Sequence, residues 1–432
     1  MGIKYQALKG MEDILPGEIE KWQWLEKETR DYFESSGFRE IRTPLLEYTE
    51  LFTRSVGEAS DIVHKEMFSF EDRGGRNITL RPEMTASVAR AVIEHGLLSQ
   101  AKSLRLYYIG PMFRAERPQA GRKRQFHQIG VEIINEAGLN SEAEALTKLY
   151  FFLKSIGIEK PHFRLNDLGD LENQNKMAAA LSTYFSKQKS LLCKDCEWRL
   201  EKNVLRIFDC KVSSCQPVID NVSWDQIAPV SNNFKSIIES TEKYGISYKV
   251  DRRLVRGLDY YNGIVFEVTA PGLGAQDALA GGGRYDRLYS DLGGKFTPCI
   301  GFSIGVERLI TALESSESNF KEKISKNSIY FVPIIMDSKD TPNKNAQKIY
   351  EQVAEAIYQL GKLGLRTIRG DEKLKLADHL KKADKLNVRY IVILGPDEYE
   401  KKVWKVKNMK SKEEQDVKNG SLFFHLKGID AL

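Results

Sequence analysis

The chain has 432 residues, 41% hydrophobic and 29% charged, with a formal net charge of +5. That length accommodates two or three domains with buried cores, and the composition is that of an ordinary globular protein. No apolar run is long enough to span a bilayer, and the opening MGIKYQALKGMEDILPGE lacks an apolar signal core, so a cytoplasmic location is expected.

The first predicted element is a helix over Gly17 to Ser36, with Ile19, Trp22, Leu25, Thr29, Tyr32 and Phe33 mostly on one face and Gly37 as its C-cap. FREIRTPLLEYTELF then reads as extended chain. Residues 104–116 and 125–134 read as strands joined by RPQAGRKR, a long β-hairpin with an arginine-rich tip. Side chains alternate along the second strand. His127, Ile129, Val131 and Ile133 suit a core. Phe126, Gln128, Gly130, Glu132 and Ile134 make the other face, where Gly130 is expected to leave a hollow between an amide and a carboxylate.

A helix over Ser141 to Leu153 and a short strand, PHFRLND, follow. From about 171 to 244 Lys, Gln and Ser rise and four cysteines cluster, as Cys193-x2-Cys196 and Cys210-x4-Cys215. This stretch reads as an inserted domain. Its cysteines read either as a structural zinc set or as reduced, partly buried thiols. Strand texture returns from Tyr248. RGLDYYNGIVFEV puts Arg256 and two tyrosines, Tyr260 and Tyr261, ahead of a strand over Ile264 to Val268, and a helix is predicted from about Gly305. A polar linker is expected over 314–328.

Beyond it, strand and helix alternate: IYFVPII, NKNAQKIYEQVAEAIYQLGKLG, LRTIR, LKLADHLKKADKLN and VRYIVILG, with KKVWKVKN and SLFFHL at the end. The alternation predicts an α/β domain with a mainly parallel sheet, whereas the earlier hairpins predict an α+β domain around an antiparallel sheet. From Ser328 onward there are 20 basic and 15 acidic residues, so the whole +5 lies in this tail. It is either a surface for a polyanion or a solvated lysine face.

Three stretches in this order, TLRPEMTAS, YYIGPMFRAERPQAGRKRQFHQIGVE and CIGFSIGVERL, resemble signature motifs of the class II aminoacyl-tRNA synthetases, with REIRTPLLEYTELF in the place of the first motif. LVRGLDYYNGIVFEV and ALAGGGRYDRL are similar to the two histidine-specific signatures of bacterial-type histidyl-tRNA synthetases, and the resemblance covers nearly the whole chain. It implies a class II catalytic domain over 1–170 and 245–320, an insertion domain over 171–244 and an anticodon-binding α/β domain over 328–432. The implied reaction joins L-histidine to ATP as an adenylate and then transfers histidine to its tRNA, in a homodimer.

The resemblance assigns roles by position. Arg256 would bridge the amino-acid carboxylate and the α-phosphate, with Arg114 as the second clamp on that phosphate. Glu116 would lie near the nucleotide, Arg308 would bind the γ-phosphate, and magnesium would accompany ATP. Glu132 and Tyr261 would meet the imidazole; Glu83, Thr85 and Gln128 would hold the α-ammonium; Tyr260 would line the pocket. Arg117, Arg122, Lys123 and Arg124 would meet the tRNA acceptor end. Met84 stands where the family usually has Gly. The regulatory subunit of ATP phosphoribosyltransferase often has methionine there, which makes a non-catalytic, histidine-sensing subunit the alternative. The presence of Arg256, Arg114 and the tail favours the enzyme.

Overall fold

The computed structural model describes residues 5–57, 60, 62–118, 122–228, 230–273, 278–316, 328–335, 343–386 and 388–428. Most of the expected linker and the centre of the hairpin tip, 119–121, lie outside the described residues. The chain divides into two compact units, Met1–Ser318 and Asn319–Leu432.

The strands of the first unit are β1 (Arg39–Glu40), β2 (Leu46–Tyr48), β3 (Phe68–Glu71), β4 (Asn77–Leu80), β5 (Leu104–Phe113), β6 (Gln125–Ile134), β7 (His162–Asp167), β8 (Tyr248–Val250), β9 (Asn262–Thr269), β10 (Ala278–Arg284) and β11 (Cys299–Gly305). Eight of them form one sheet in the order β1-β5-β6-β11-β10-β9-β7-β8. The pairs β1–β5 and β7–β8 at its edges are parallel and the five between them antiparallel. β2, β4 and β3 form a small separate sheet.

Alternation along these strands gives the large sheet two faces of different character. On one, Tyr107, Val131, Phe302 and Phe266 are buried. Phe33 of the helix Ile19–Ser35 stacks on Tyr107 and packs on Phe302 and on Phe152 of the helix Leu139–Ile156. Trp22, Leu25, Thr29 and Phe33 are the buried residues of that first helix, which follows the predicted stripe; Gly37 has a φ of +82° just beyond its end.

The expectation of extended chain through TELF is corrected: β2 ends at Tyr48 and Thr49–Val56 is helical. Phe52 and Val56, one helical turn apart, are both buried against Ile62 and Ala86, and that packing outweighs the β-branched residues. The stretch 171–244 is almost wholly helical. Its larger helices are Leu171–Ser186, Lys194–Lys202 and Asn232–Lys243, around a core that includes Leu181, Phe185, Ile207 and the cysteines.

The second unit contains β12 (Ser328–Pro333), β13 (Arg366–Arg369), β14 (Tyr390–Leu394), β15 (Val403–Asn408) and β16 (Glu414–Lys418), in the order β13-β12-β14-β15-β16. Only β13, β12 and β14 are parallel; β15 and β16 add an antiparallel hairpin, so "mainly parallel" describes one side of the sheet. Helices Ala346–Lys362 and Leu376–Lys385 supply the crossovers.

Candidate active site

The face of the large sheet opposite Phe33 is paved with glycine. Register places Tyr108, Gly130, Ser303, Gly281, Glu267 and Arg164 in one cross-strand row from β5 to β7. Two residues away, Glu132, Gly301, Gly283 and Val265 form a second row. The bare positions are filled by side chains that reach in. A Cβ on Gly130 would fall inside the Tyr108 ring, one on Gly281 inside the Arg256 guanidinium, and one on Gly301 against the Glu132 carboxylate. At Gly283 a Cβ would come within 2.9 Å of the Tyr261 ring. The hollow expected over Gly130 is therefore occupied by Tyr108, a cross-strand neighbour that alternation along one strand does not reveal.

At one end of this floor lie two buried carboxylates. Glu132 is 1% exposed. It accepts hydrogen bonds from Thr85 Oγ1 at 2.9 Å and from the Tyr285 hydroxyl, with the Tyr108 hydroxyl also on it. Burial outweighs these donors and pushes its carboxyl up to about 8, with the nearby Glu83 adding to the effect. Glu83 is 3% exposed. It accepts from the backbone N–H of Thr85 at 2.7 Å and of Ala86 at 2.9 Å, at the start of the helix Thr85–Glu94. Burial raises its carboxyl too, opposed by those N–H groups and by Arg114.

Tyr260 hydrogen-bonds Glu83 at 3.4 Å and packs against Tyr261, ring centroids 4.7 Å apart. Burial raises the Tyr261 phenol to about 12. Gln128 donates to Ser303 Oγ at 3.3 Å. Met84 is 1% exposed and belongs to an apolar cluster with Tyr108, Tyr260 and Tyr285, so it is a wall of this end and offers no polar group.

At the other end are guanidiniums. Arg256 Nη1 donates to Glu267 at 3.0 Å, while its buried Nε has no protein partner. Glu267 also pairs with Arg164, which pairs in turn with Asp251. Arg114 donates from Nε to the Pro82 carbonyl at 3.0 Å and its guanidinium lies over the Phe126 ring, 5.1 Å from the centroid. Arg308, in the helix Val306–Ser315, donates to the Ala278 carbonyl at 2.7 Å. Burial lowers its pKa from the usual arginine value; Arg122 and Arg114 lower it further, whereas Glu116 and Glu267 oppose them. Arg114, Arg122 and Arg308 thus share one electrostatic neighbourhood with the carboxylates of Glu116 and Glu267. Gathered cations of this kind, two of them arginines fixed by carbonyls, suit a polyanion such as a polyphosphate.

The four cations expected at the hairpin tip do not form one exposed patch. Arg117 is exposed. Arg122 turns back to Glu116 at 3.1 Å. Lys123 pairs with Glu12 at 2.7 Å. Arg124 is half-buried, and its main chain is tied to the Gly10 carbonyl.

Sequence reasoning missed Tyr285, Tyr108, Glu267 and Gly281 as parts of this site. Tyr285 and Gly281 sit inside ALAGGGRYDRL, and a glycine run on a strand beside a buried carboxylate is a signal that could have found them.

The sequence matches the family model "Histidyl-tRNA synthetase" over residues 10–184 and 218–309, and the model "Anticodon binding domain" over 331–427. The chain is 40% identical over 431 residues to a protein from Syntrophomonas wolfei named histidine–tRNA ligase, covering 99% of each. It is 40% identical over 430 residues to one of the same name from Fervidobacterium nodosum, covering 98% of this chain and 99% of that one. Among solved structures, apo histidyl-tRNA synthetase from S. aureus superposes with a TM-score of 0.72 at 30% identity, covering 98% of this chain and 100% of that one. An ATP phosphoribosyltransferase regulatory subunit/histidyl-tRNA synthetase from Bacillus halodurans shares the fold, with a TM-score of 0.61 at 22% identity over 91% of this chain and 99% of that one.

Proposed function

The chain belongs to the histidyl-tRNA synthetase family, and from that premise we propose that it is a histidine–tRNA ligase whose reaction runs across the glycine floor. It activates L-histidine with ATP, releasing pyrophosphate, and passes the histidine to the 3′ end of its tRNA. The observation that carries the reading is that one floor holds both the buried carboxyls of Glu83 and Glu132 and the guanidiniums of Arg256 and Arg308, with Arg114 acting on Glu83 and Arg308 alike. The substrate has the complementary polarity. Its α-ammonium and imidazole N–H seek carboxylates, while its own carboxylate must approach an anionic phosphate.

In this reading Glu83, Thr85 and Gln128 hold the ammonium, and Glu132 and Tyr261 hold the imidazole, with Tyr260 and Met84 as walls. The hydroxyls of Thr85 and Tyr285 fix the Glu132 carboxylate, so it is oriented before the ligand arrives. Arg256 faces the histidine carboxylate and the α-phosphate. Its unpartnered Nε is a donor held in place for the charge that builds as pyrophosphate leaves. Arg114 steadies the same phosphate and Arg308 the γ-phosphate. Magnesium takes hard oxygen ligands, and the carboxylates near Arg308, Glu116 and Glu267, fit that requirement. When bound, the ion neutralises charge on the outer phosphates. Arg117, Arg122, Lys123 and Arg124 remain the proposed contacts to the acceptor end, with Arg122 able to leave Glu116 for a phosphate. The non-catalytic alternative is not favoured by relatives named as ligases along their whole length. A homodimer in the cytoplasm completes the proposal; no helix among the described residues is long and apolar enough to cross a membrane.

Histidine-dependent exchange of labelled pyrophosphate into ATP is the direct test, and exchange that is absent or independent of histidine overturns the assignment. A chain ending at residue 327 should keep exchange largely intact while charging tRNA at least about tenfold more slowly, as lost phosphate contacts from the basic tail require. Full charging by the folded truncated chain removes the anticodon role from the tail.

A further inference from the structure

The four cysteines of the helical stretch come together although they arrive in two separate pairs. The Sγ atoms of Cys193, Cys196, Cys210 and Cys215 all lie within 4.8 Å of one another, and those of Cys193 and Cys210 are 3.9 Å apart. Four thiolates around a tetrahedral zinc ion, each at about 2.3 Å, must stand roughly 3.8 Å apart. None of these cysteines is in a disulfide. Cys196, Cys210 and Cys215 are buried, and Cys193 is the one that reaches the surface.

Main-chain donors are turned onto the sulfurs. Cys193 N–H points at Cys215 Sγ at 3.2 Å, Val212 N–H at Cys210 Sγ at 3.4 Å, and Cys196 N–H at Cys193 Sγ. A neutral thiol is a weak acceptor and attracts few such bonds; a metal-bound thiolate is a strong one. A sulfur-lined apolar core would need neither four sulfurs within 4.8 Å of one another nor the amides.

We propose that Cys193, Cys196, Cys210 and Cys215 bind one zinc ion as a structural site. The proposal goes beyond the ligase reading and does not depend on it. All four positions also fall within 185–217, between the two segments matched by the family model.

The site has a mechanical consequence for the floor. Between Cys196 and Cys210 the chain presents Asn203 and Arg206, and both hold Asp259: Asn203 Nδ2 at 3.0 Å, and Arg206 through Nε at 3.2 Å and Nη2 at 3.1 Å. Asp259 lies between Arg256 and Tyr260, and its N–H is tied to the Val56 carbonyl at 3.1 Å. The cysteine pairs therefore clamp both ends of the segment that braces the Arg256–Tyr261 loop. Bound zinc makes Asn203 and Arg206 positioning residues for that loop.

The test uses the full-length, untagged protein purified from zinc-supplemented cells without chelator. Elemental analysis should find one zinc per chain, and a Cys193→Ser, Cys210→Ser double variant should retain less than a tenth of it. Replacement of zinc by cobalt(II) should give the intense visible bands of a tetrahedral thiolate site, a readout that survives if the double variant does not fold. Removing the metal should speed hydrogen exchange in 203–209 and 256–261 and leave the β5–β6 hairpin unchanged. Protein that holds no zinc and shows no cobalt–thiolate bands overturns the site, as does iron in its place. Exchange that is unchanged, or that rises uniformly, overturns the brace.

Discussion

The two ends of the glycine floor store charge in opposite ways. At the guanidinium end each cation already has a protein partner: Arg256 has Glu267, Arg122 has Glu116, and Arg308 has a backbone carbonyl. At the carboxylate end Glu132 is met by hydroxyls, and burial keeps its proton in place to about 8. One end keeps its charge and can trade partners. At the other end, burial raises the carboxyl of Glu132 above its ordinary value. The same sheet can also compensate a buried charge fully, as at Arg284, which meets Glu142 at 2.8 Å and Asp286 at 3.0 Å. A carboxyl met by hydroxyls in place of a guanidinium, as at Glu132, is thus a local property of the floor.

The contrast breaks first, and with the largest effect, at Arg256. Arg256→Ala should slow adenylate formation by about 10²–10³-fold in single-turnover experiments, with ATP binding nearly unchanged, because the lost donor acts on charge developed in the transition state. A normal single-turnover rate would remove Arg256 from the chemistry. Gly281→Ala should imitate it more weakly. The added Cβ overlaps the Arg256 guanidinium, which must move, and misplacement of that order costs about ten- to a hundredfold. If Gly281→Ala weakens histidine binding and leaves the activation rate alone, the guanidinium is not where the rate is set.

At the carboxylate end, Glu132→Gln keeps the shape and removes the capacity to ionise. Histidine affinity should fall about ten- to a hundredfold, the worth of a charge-assisted hydrogen bond. Val131→Ala, on the opposite face, should instead cost roughly 1–3 kcal/mol of stability and leave binding unchanged. Loss of histidine binding in the second variant, at unchanged stability, would reverse the faces of β6.

Glu132 also fixes a pH dependence. Its carboxyl keeps its proton to about 8 in the folded chain, against 4.5 as the ordinary value. Between those values the folded state binds more protons than the unfolded, so the stability contributed by this group falls as pH rises through that window. Histidine favours the carboxylate, so binding at pH 7 should release up to about one proton, measured by calorimetry in buffers of different ionisation enthalpy. Binding without release would mean that Glu132 meets the ligand neutral. The smallest effect is expected for Tyr285→Phe. It deletes one hydroxyl donor to Glu132, for about a two- to tenfold loss of affinity. A greater loss than that of Glu132→Gln would make the tyrosine, not the carboxylate, the main contact.

Much of this could be read from residue order, and the failures share a cause. Periodicity located the hairpin, the helix with Trp22 and Phe33, and the alternation of the second unit, because one face of each element is buried continuously. The strand Glu414–Lys418 escaped because only Val417 of its five residues is buried. The filled hollow at Gly130, and the parts played by Tyr108, Gly281 and Glu267, escaped because they depend on register across five strands. Motif resemblance named Arg256, Glu132 and Glu83, but it could not say that Glu132 is met by two tyrosines and a threonine. The helix at Thr49–Val56 was lost to a local preference that its contacts with Ile62 and Ala86 override.

The glycine floor also bears on how this protein could be re-engineered. Saturation libraries meant to admit a bulkier or differently charged amino acid usually begin with the residues nearest the ligand. At Gly130, Gly281 and Gly301 every alternative residue brings a Cβ into a ring, a guanidinium or a carboxylate that already occupies the space, and at Gly283 it meets the Ile264 carbonyl oxygen at 2.7 Å. Such libraries would return folding failures at Gly130 and Gly301 and a displaced Arg256 at Gly281, and would teach little about selectivity. Useful diversity lies in the partly buried side chains that lean over the floor, Thr85, Gln128 and Tyr261. There, size and polarity can change without moving a strand.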